Sequence, residues 1–260
     1  PDPAVEGIEL PEANLHRACG CRLLPPSNML EPPGHHGPAA TPPRQAFMLE
    51  LRCLRYQAAT APEPVLRDLN LLLGAGEPAL IAGRSGSGKT TLLELICGLA
   101  EPSGGTIHWN GERLSSRQRR WLCGLVFQFP ERHFLGLTVG QELKLGQRRL
   151  TTERAAAVLE QVGLEELAFQ QAPERLSGGQ QRRLALAVQL LRDPRVLLLD
   201  EPTAGLDWSV RDDVLGLLAG LSRQRLVLVV THEPELFAGL VSGERSWRLV
   251  GGSLQPLQPG

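Results

Sequence analysis

The run Gly83-Arg84-Ser85-Gly86-Ser87-Gly88-Lys89-Thr90 fits the spacing GxxxxGK[ST] without a mismatch. Residues of these types bind phosphate. The small residues Gly83, Ser85, Gly86, Ser87 and Gly88 let backbone N–H groups curl around phosphate oxygens. A helix opening at the lysine adds the positive end of its dipole. Lys89 is one of only two lysines among 27 basic residues, the other being Lys144. A chain that uses arginine almost everywhere else keeps a compact primary amine here, suited to reach β- and γ-phosphates. Thr90 brings a hydroxyl for Mg²⁺, and Thr91 carries the loop into the helix.

A second segment, Leu197-Leu198-Leu199-Asp200-Glu201-Pro202-Thr203, delivers two adjacent carboxylates at the end of an apolar run. In an open α/β sheet, ligands bind at the carboxyl ends of the strands. There Asp200 is placed to hold Mg²⁺, directly or through water. Glu201 is placed to orient or deprotonate an attacking water. A third segment, Ser177-Gly178-Gly179-Gln180, opens a helical stretch 23 residues before Asp200. Its hydroxyl and bare N–H groups at a helix N-terminus make another anion site, and the same residues also suit an ordinary serine cap.

These groups need a scaffold that brings distant segments to one edge. Short apolar runs at 78–82, 196–200 and 226–231 read as strands buried on both faces of a parallel sheet. Helical patterns follow at 88–99, 152–162, 179–192 and 209–224, the third ending before Asp193-Pro194. Strands alternating with helices predict an α/β parallel sheet, and no internal repeat suggests a second copy of it. Met48 directly precedes the alternating pattern Leu49-Glu50-Leu51-Arg52-Cys53-Leu54, where the folded domain is expected to begin.

Residues 1–45 read differently, holding 10 of the 21 prolines and no apolar period. They predict a disordered, proline-rich leader with the features of neither a signal nor a transit peptide. The chain starts at Pro1, which suggests a fragment, a processed product or a misread start. Domain organisation is therefore expected as a leader over 1–45 and one domain over 46–260, with a helical subdomain over roughly 129–180.

Composition narrows the function classes. Net charge is −1, which gives no sign of a nucleic-acid partner. The longest apolar runs, such as 226–230, fall well short of the about 20 residues needed to span a bilayer, so any membrane role needs a partner. The cysteines at 19, 21, 53, 97 and 123 contain no CxxC pair and read as reduced thiols. Cys19 and Cys21 with His16, His35 and His36 do not follow a standard zinc spacing.

Taken together, the three motifs resemble the ATP-binding cassette ATPases of ABC transporters, over roughly 48–250. The resemblance implies a P-loop NTPase core with a parallel sheet, an N-terminal antiparallel β subdomain and an inserted helical subdomain. It implies that ATP and Mg²⁺ are bound, and that Ser177, Gly178, Gly179 and Gln180 contact the γ-phosphate held by an opposite subunit. Gln128, after Leu125-Val126-Phe127, matches the glutamine that senses Mg²⁺ and the γ-phosphate. His232 matches the switch histidine that supports that phosphate. Asp207, in Ala204-Gly205-Leu206-Asp207, matches the loop that crosses the dimer interface. Tyr56, the single tyrosine, stands where the family places an aromatic that stacks on adenine.

The stretch Phe127-Gln128-Phe129-Pro130-Glu131-Arg132-His133-Phe134 resembles the ATPase subunits of energy-coupling-factor and cobalt-type importers, or a related plastid or cyanobacterial cassette. In those proteins a helix of the membrane subunit docks nearby, which makes Phe129 and Phe134 candidate anchors. The expected function is therefore ATP hydrolysis coupled to transport by separate transmembrane subunits. The chain would pair as a homodimer or with a second cassette. It would sit on the cytoplasmic face of a membrane or the stromal face of a plastid membrane. The alternative is a soluble ATPase of the same family in a role such as cofactor assembly. Tandem-cassette and coiled-coil members fit less well, since Gln128 and Ser177 are only 49 residues apart. A regulatory subunit that binds without hydrolysing disagrees with the intact Glu201 and His232.

Overall fold

The computed structural model describes residues 47–59 and 61–257. The leader and the cysteine–histidine group before residue 37 lie outside the described residues. The chain enters as an antiparallel pair, β1 (Met48–Tyr56) and β2 (Leu66–Gly74). Next come β3 (Ala79–Ala82) and α1 (Lys89–Cys97). A hairpin of β4 (Gly104–Trp109) and β5 (Glu112–Arg113) leads to α2 (Ser116–Leu122) and β6 (Cys123–Val126). The segment between β6 and residue 177 carries helices only, including α3 (Val139–Lys144) and α4 (Thr152–Gln161). The remainder is α5 (Gly178–Leu190), β7 (Val196–Asp200), α6 (Trp208–Ser222), β8 (Leu226–Thr231), β9 (Ser246–Val250) and β10 (Ser253–Pro256).

Two sheets result. One runs β2-β1-β4-β5 and is antiparallel throughout. The other runs β10-β9-β3-β8-β7-β6, parallel from β9 to β6 and closed by the antiparallel β10. Every residue of β3, β7 and β8 is buried, and their alternate side chains go to opposite faces. Leu197, Leu199, Val227 and Val229 join a core with α3, α4, α5 and α6. Val196, Leu198, Leu228 and Val230 join a second core with α1 and the antiparallel sheet. Burial on both faces explains why these strands read as unbroken apolar runs. Among the described residues no helix is long and apolar enough to cross a membrane.

The antiparallel sheet carries an irregularity that its sequence does not advertise. The pairing of β1 slips between Leu51 and Leu54 against β2, and between Arg52 and Arg55 against β4. Cys53 (φ 46°) and Asp68 (φ 49°) take left-handed backbone at the slip. Gly105, at φ 83°, lies against the displaced carbonyls: a Cβ there would sit 2.5 Å from Arg52 O and closer still to Cys53 O. Gly105→Ala is therefore expected to cost ~2–5 kcal/mol through forced overlap and positive φ together. A denaturant-unfolding midpoint within error of the parent would refute this.

Phe47 stacks on Trp109 with ring centroids 5.6 Å apart, and its carbonyl accepts from Ala75 N–H at 3.2 Å.

Candidate functional site

The loop between β3 and α1 follows a fully buried strand, so its position is held by the core. Gly88 caps α1 at φ 99°, and a Cβ there would approach Val65 Cγ1 to 2.9 Å. The glycine therefore serves both the turn and the close approach of the β1–β2 connection. Lys89 folds back over its own loop. Its Nζ donates to Gly83 O at 2.8 Å and Arg84 O at 3.2 Å. The same amine lies 3.4 Å from Glu201 Oε1, and both side chains are buried.

Three strand ends converge on this loop. After β6 comes Gln128, β7 ends at Asp200 with Glu201 next, and β8 is followed by His232. Together with Ser85, Gly86, Gly88, Lys89, Thr90 and Thr91, these residues line one cleft of about 530 Å³. Thr90 Oγ1 donates to Asp200 Oδ2 at 2.5 Å. Glu201 Oε2 accepts from the His232 backbone N–H at 3.1 Å and lies 2.9 Å from His232 Nδ1. Glu201 is itself left-handed at φ 49°, a conformation that costs a non-glycine residue about 1–3 kcal/mol and is retained only where the surroundings hold it. Its backbone N–H donates to Val230 O at 2.9 Å, and its carboxylate is held from both sides. Burial pushes the Asp200 carboxyl above the ordinary aspartate value. The Thr90 hydrogen bond opposes that, the Glu201 charge adds to it, and Lys89 opposes it.

The donor set fits a Mg²⁺–triphosphate ligand. Thr90 and Asp200 place two hard oxygen donors side by side, and Gln128 adds an amide to the same cleft. Among the described residues no three His, Cys, Asp or Glu side chains cluster to hold a metal ion. Few protein ligands suit Mg²⁺, which keeps several waters and takes further oxygens from phosphate. Ser87 Oγ, inside the loop, is buried without a hydrogen-bond partner.

Five of the remaining sequence candidates, Ser177, Gly178, Gly179, Gln180 and Asp207, do not line this cleft. Ser177 caps α5 instead, accepting from Gln180 N–H at 3.3 Å while Gln180 Oε1 accepts from Ser177 N–H at 2.9 Å. Gly178 and Gly179 form the first turn of that helix. A Cβ at Gly179 would lie 2.5 Å from Val210 Cγ1, so this position also serves the packing of α5 on α6. Asp207 is the cap residue of α6 and makes no side-chain cap bond.

Tyr56 ends β1 packed on the second core, and the cleft wall at that point is Val65. The two are joined by Val65 N–H donating to Tyr56 O at 2.8 Å. Nothing in the composition of residues 61–65 marks Val65, because its place depends on how the β1–β2 connection folds over Gly88.

Arg182 is a second residue that motif spacing alone does not single out. It is buried on α5, donating from Nη1 to Ala204 O at 2.8 Å and from Nη2 to Gln128 O at 3.1 Å. One guanidinium thus ties the segment after β6 to the segment after Glu201. The signal available in sequence is an arginine on the inner face of α5, five residues after the cap.

The sequence pattern of the family described as ABC transporter matches residues 66–204. The chain is 38% identical over 228 residues to ABC transporter I family member 11, chloroplastic, of Arabidopsis thaliana, covering 81% of each chain. It is 40% identical over 179 residues to the energy-coupling factor transporter ATP-binding protein EcfA2 of Symbiobacterium thermophilum, covering 64% of this chain and 62% of the relative. Among solved structures, cbiO1 from Clostridium perfringens is described as part of the ABC transporter complex cbiONQ. It superposes with a TM-score of 0.71 at 26% identity, covering 81% of this chain and 88% of that one.

Proposed function

Because the chain belongs to the ABC transporter family, we propose that it is the ATP-binding and ATP-hydrolysing subunit of a multi-subunit transporter. ATP-driven closure of two cassettes would be coupled to transport by separate transmembrane subunits. The observation that carries this reading is the convergence of Lys89, Thr90, Gln128, Asp200, Glu201 and His232 on one cleft from four distant segments. The names of the Symbiobacterium and Clostridium relatives favour a transport role over a cofactor-assembly role. The Arabidopsis relative is chloroplastic, which makes the stromal face of a plastid membrane the alternative to the cytoplasmic face of a cell membrane.

In the proposed reaction Lys89 turns its ammonium from the loop carbonyls to the β- and γ-phosphates. Thr90 and Asp200 would hold Mg²⁺, with Gln128 a further donor in the same cleft. When bound, the ion would offset negative charge on the phosphate oxygens. Glu201 takes the proton of a water whose oxygen bonds to the γ-phosphorus, while the bond from that phosphorus to the ADP oxygen breaks. His232 keeps the Glu201 carboxylate aimed. The second half of the site comes from a partner cassette, whose Ser177, Gly178 and Gly179 face the γ-phosphate and whose Asp207 lies at the interface.

The expectation for the docking aromatics divides in two. Phe129 is 44% exposed with the Arg132 guanidinium 4.6 Å from its ring centroid. Phe134 instead packs against the core beneath α3 and α5 and lines a small cavity with Leu125 and Val188. Phe129→Ala is expected to leave the unfolding midpoint and ATP affinity unchanged while reducing the fraction of the chain recovered with membranes. Phe134→Ala is expected to lower stability by about 1–3 kcal/mol. Equal unfolding midpoints for the two variants would overturn this division. The overall reading is tested by steady-state phosphate release from the full chain with Mg²⁺ and ATP, together with its co-sedimentation with membranes. Absence of both would remove it.

A further inference from the structure

Trp208 is 77% exposed at the first position of α6, in a chain with only four tryptophans. An indole left in water at a helix start makes no contribution to this domain's core. It sits beside the cap of α5, since Gly179 packs directly on Val210, two residues further along α6. The Ser177 segment and Trp208 therefore belong to one surface.

A second cavity, of about 900 Å³, adjoins the nucleotide cleft along the phosphate loop. The two share Ser85, Gly86 and His232 in their walls. The second is lined by the exposed residues Arg84 and Arg248 together with Pro234 and Val250, while the Leu249 side chain turns into the second core. Among the described residues neither arginine forms an ion pair. Apolar walls with unpaired cations suit an indole, which offers a large apolar body and a negative face.

We propose that Trp208 of one chain inserts into the cavity between Arg84 and Arg248 of a second copy, as a reciprocal anchor of the closed dimer. The proposal rests on the head-to-tail arrangement put forward above. If the Ser177 segment of one copy covers the cleft of the other, its neighbour Trp208 arrives at the next opening along the same phosphate loop. The charges agree. Asp207 precedes the tryptophan and Asp212 follows it one turn later on the same helix face, opposite two arginines. Arg211, on the same turn, is directed back to Leu206 O at 3.3 Å. Two-fold symmetry makes the contact twice, and burying each indole removes ~150–250 Å² from water.

The test uses the full chain carrying Glu201→Gln, with Mg²⁺ and ATP, in sedimentation velocity. Adding Trp208→Ala is expected to weaken dimerisation ~10- to 100-fold, the loss typical of a central aromatic anchor, while ATP affinity of the monomer and its melting temperature stay unchanged. Trp208→Phe is expected to fall between. Separately, the pair Trp208→Cys and Arg248→Cys on that background should give an ATP-dependent disulfide-linked band of twice the chain mass, absent from either single variant. If the Glu201→Gln parent dimerises and Trp208→Ala dimerises as tightly, or the paired cysteines fail to link within that dimer, the anchor is refuted and the ATPase reading stands. If the parent never dimerises with ATP, the head-to-tail pairing of two identical chains and the anchor fall together.

Discussion

Glu201→Gln is expected to bind ATP as tightly as the parent and to hydrolyse it ~10²- to 10⁴-fold more slowly, equivalent to about 3–5 kcal/mol of barrier. The amide has nearly the shape of the carboxylate, so it can keep the backbone contact with His232 N–H, 3.1 Å from Oε2. What it cannot do is accept the proton of the attacking water. Binding without turnover should trap ATP between two chains and shift the protein from monomer to dimer in size-exclusion chromatography, with ATP and not with ADP. Adding Ser177→Arg should abolish the shift, because the bulk at the cap of α5 would meet the partner's γ-phosphate. Hydrolysis at the parental rate in Glu201→Gln would show that the general base is elsewhere. An inactive variant that stays monomeric at high protein and ATP concentration would point to a heterodimer.

Replacing Lys89 by methionine should lower ATP affinity ~10²-fold, as expected from losing charge-assisted hydrogen bonds worth about 1.5–3 kcal/mol each. Lys89→Arg should rescue little. The ammonium occupies a point between Gly83 O and Arg84 O, 2.8 and 3.2 Å away, with Glu201 Oε1 at 3.4 Å. A planar guanidinium fork needs room that this turn does not have. The stability change of Lys89→Met in the absence of nucleotide should be about 1–3 kcal/mol. That is below the ~3–5 kcal/mol expected when a buried charge is stranded, because Glu201 keeps its contact with the His232 N–H. Isothermal titration with ATP and chemical unfolding read the two effects separately. An affinity within threefold of the parent would remove Lys89 from the phosphate site.

Much of the scaffold was legible because its signals are local. The runs at 196–200 and 226–231 are apolar up to their last residues, Asp200 and Thr231, and both are strands buried on both faces. The helix expected over 88–99 occupies Lys89–Cys97 and stops at Gly98, whose left-handed backbone lets its N–H return to Glu94 O and Leu95 O. Less regular elements escaped the same reading. β9 has half-exposed residues and exists through its pairing with β3, Leu80 opposite Ser246. Phe129 and Phe134 are alike in sequence, and only the packing of α3 and α5 separates an exposed ring from one partly buried against the core.

The candidate site divides along the same line. Sequence alone determined the phosphate loop, the paired carboxylates and the cap of α5, because each is a contiguous run whose chemistry follows from neighbours in the chain. Tertiary structure decided which of them share a cleft. It put Asp200 against Thr90 and Glu201 between Lys89 and His232, contacts spanning 110 residues in the first case. It placed Val65, not Tyr56, in the cleft wall, and bridged Gln128 to Ala204 through Arg182. It also kept the Ser177 segment out of the cleft of its own chain. The physical reason is that spacing in a motif encodes backbone turns and caps over a few residues. Proximity across the sheet is set by strand order and by which face each helix buries, which the chain settles only when the whole core packs.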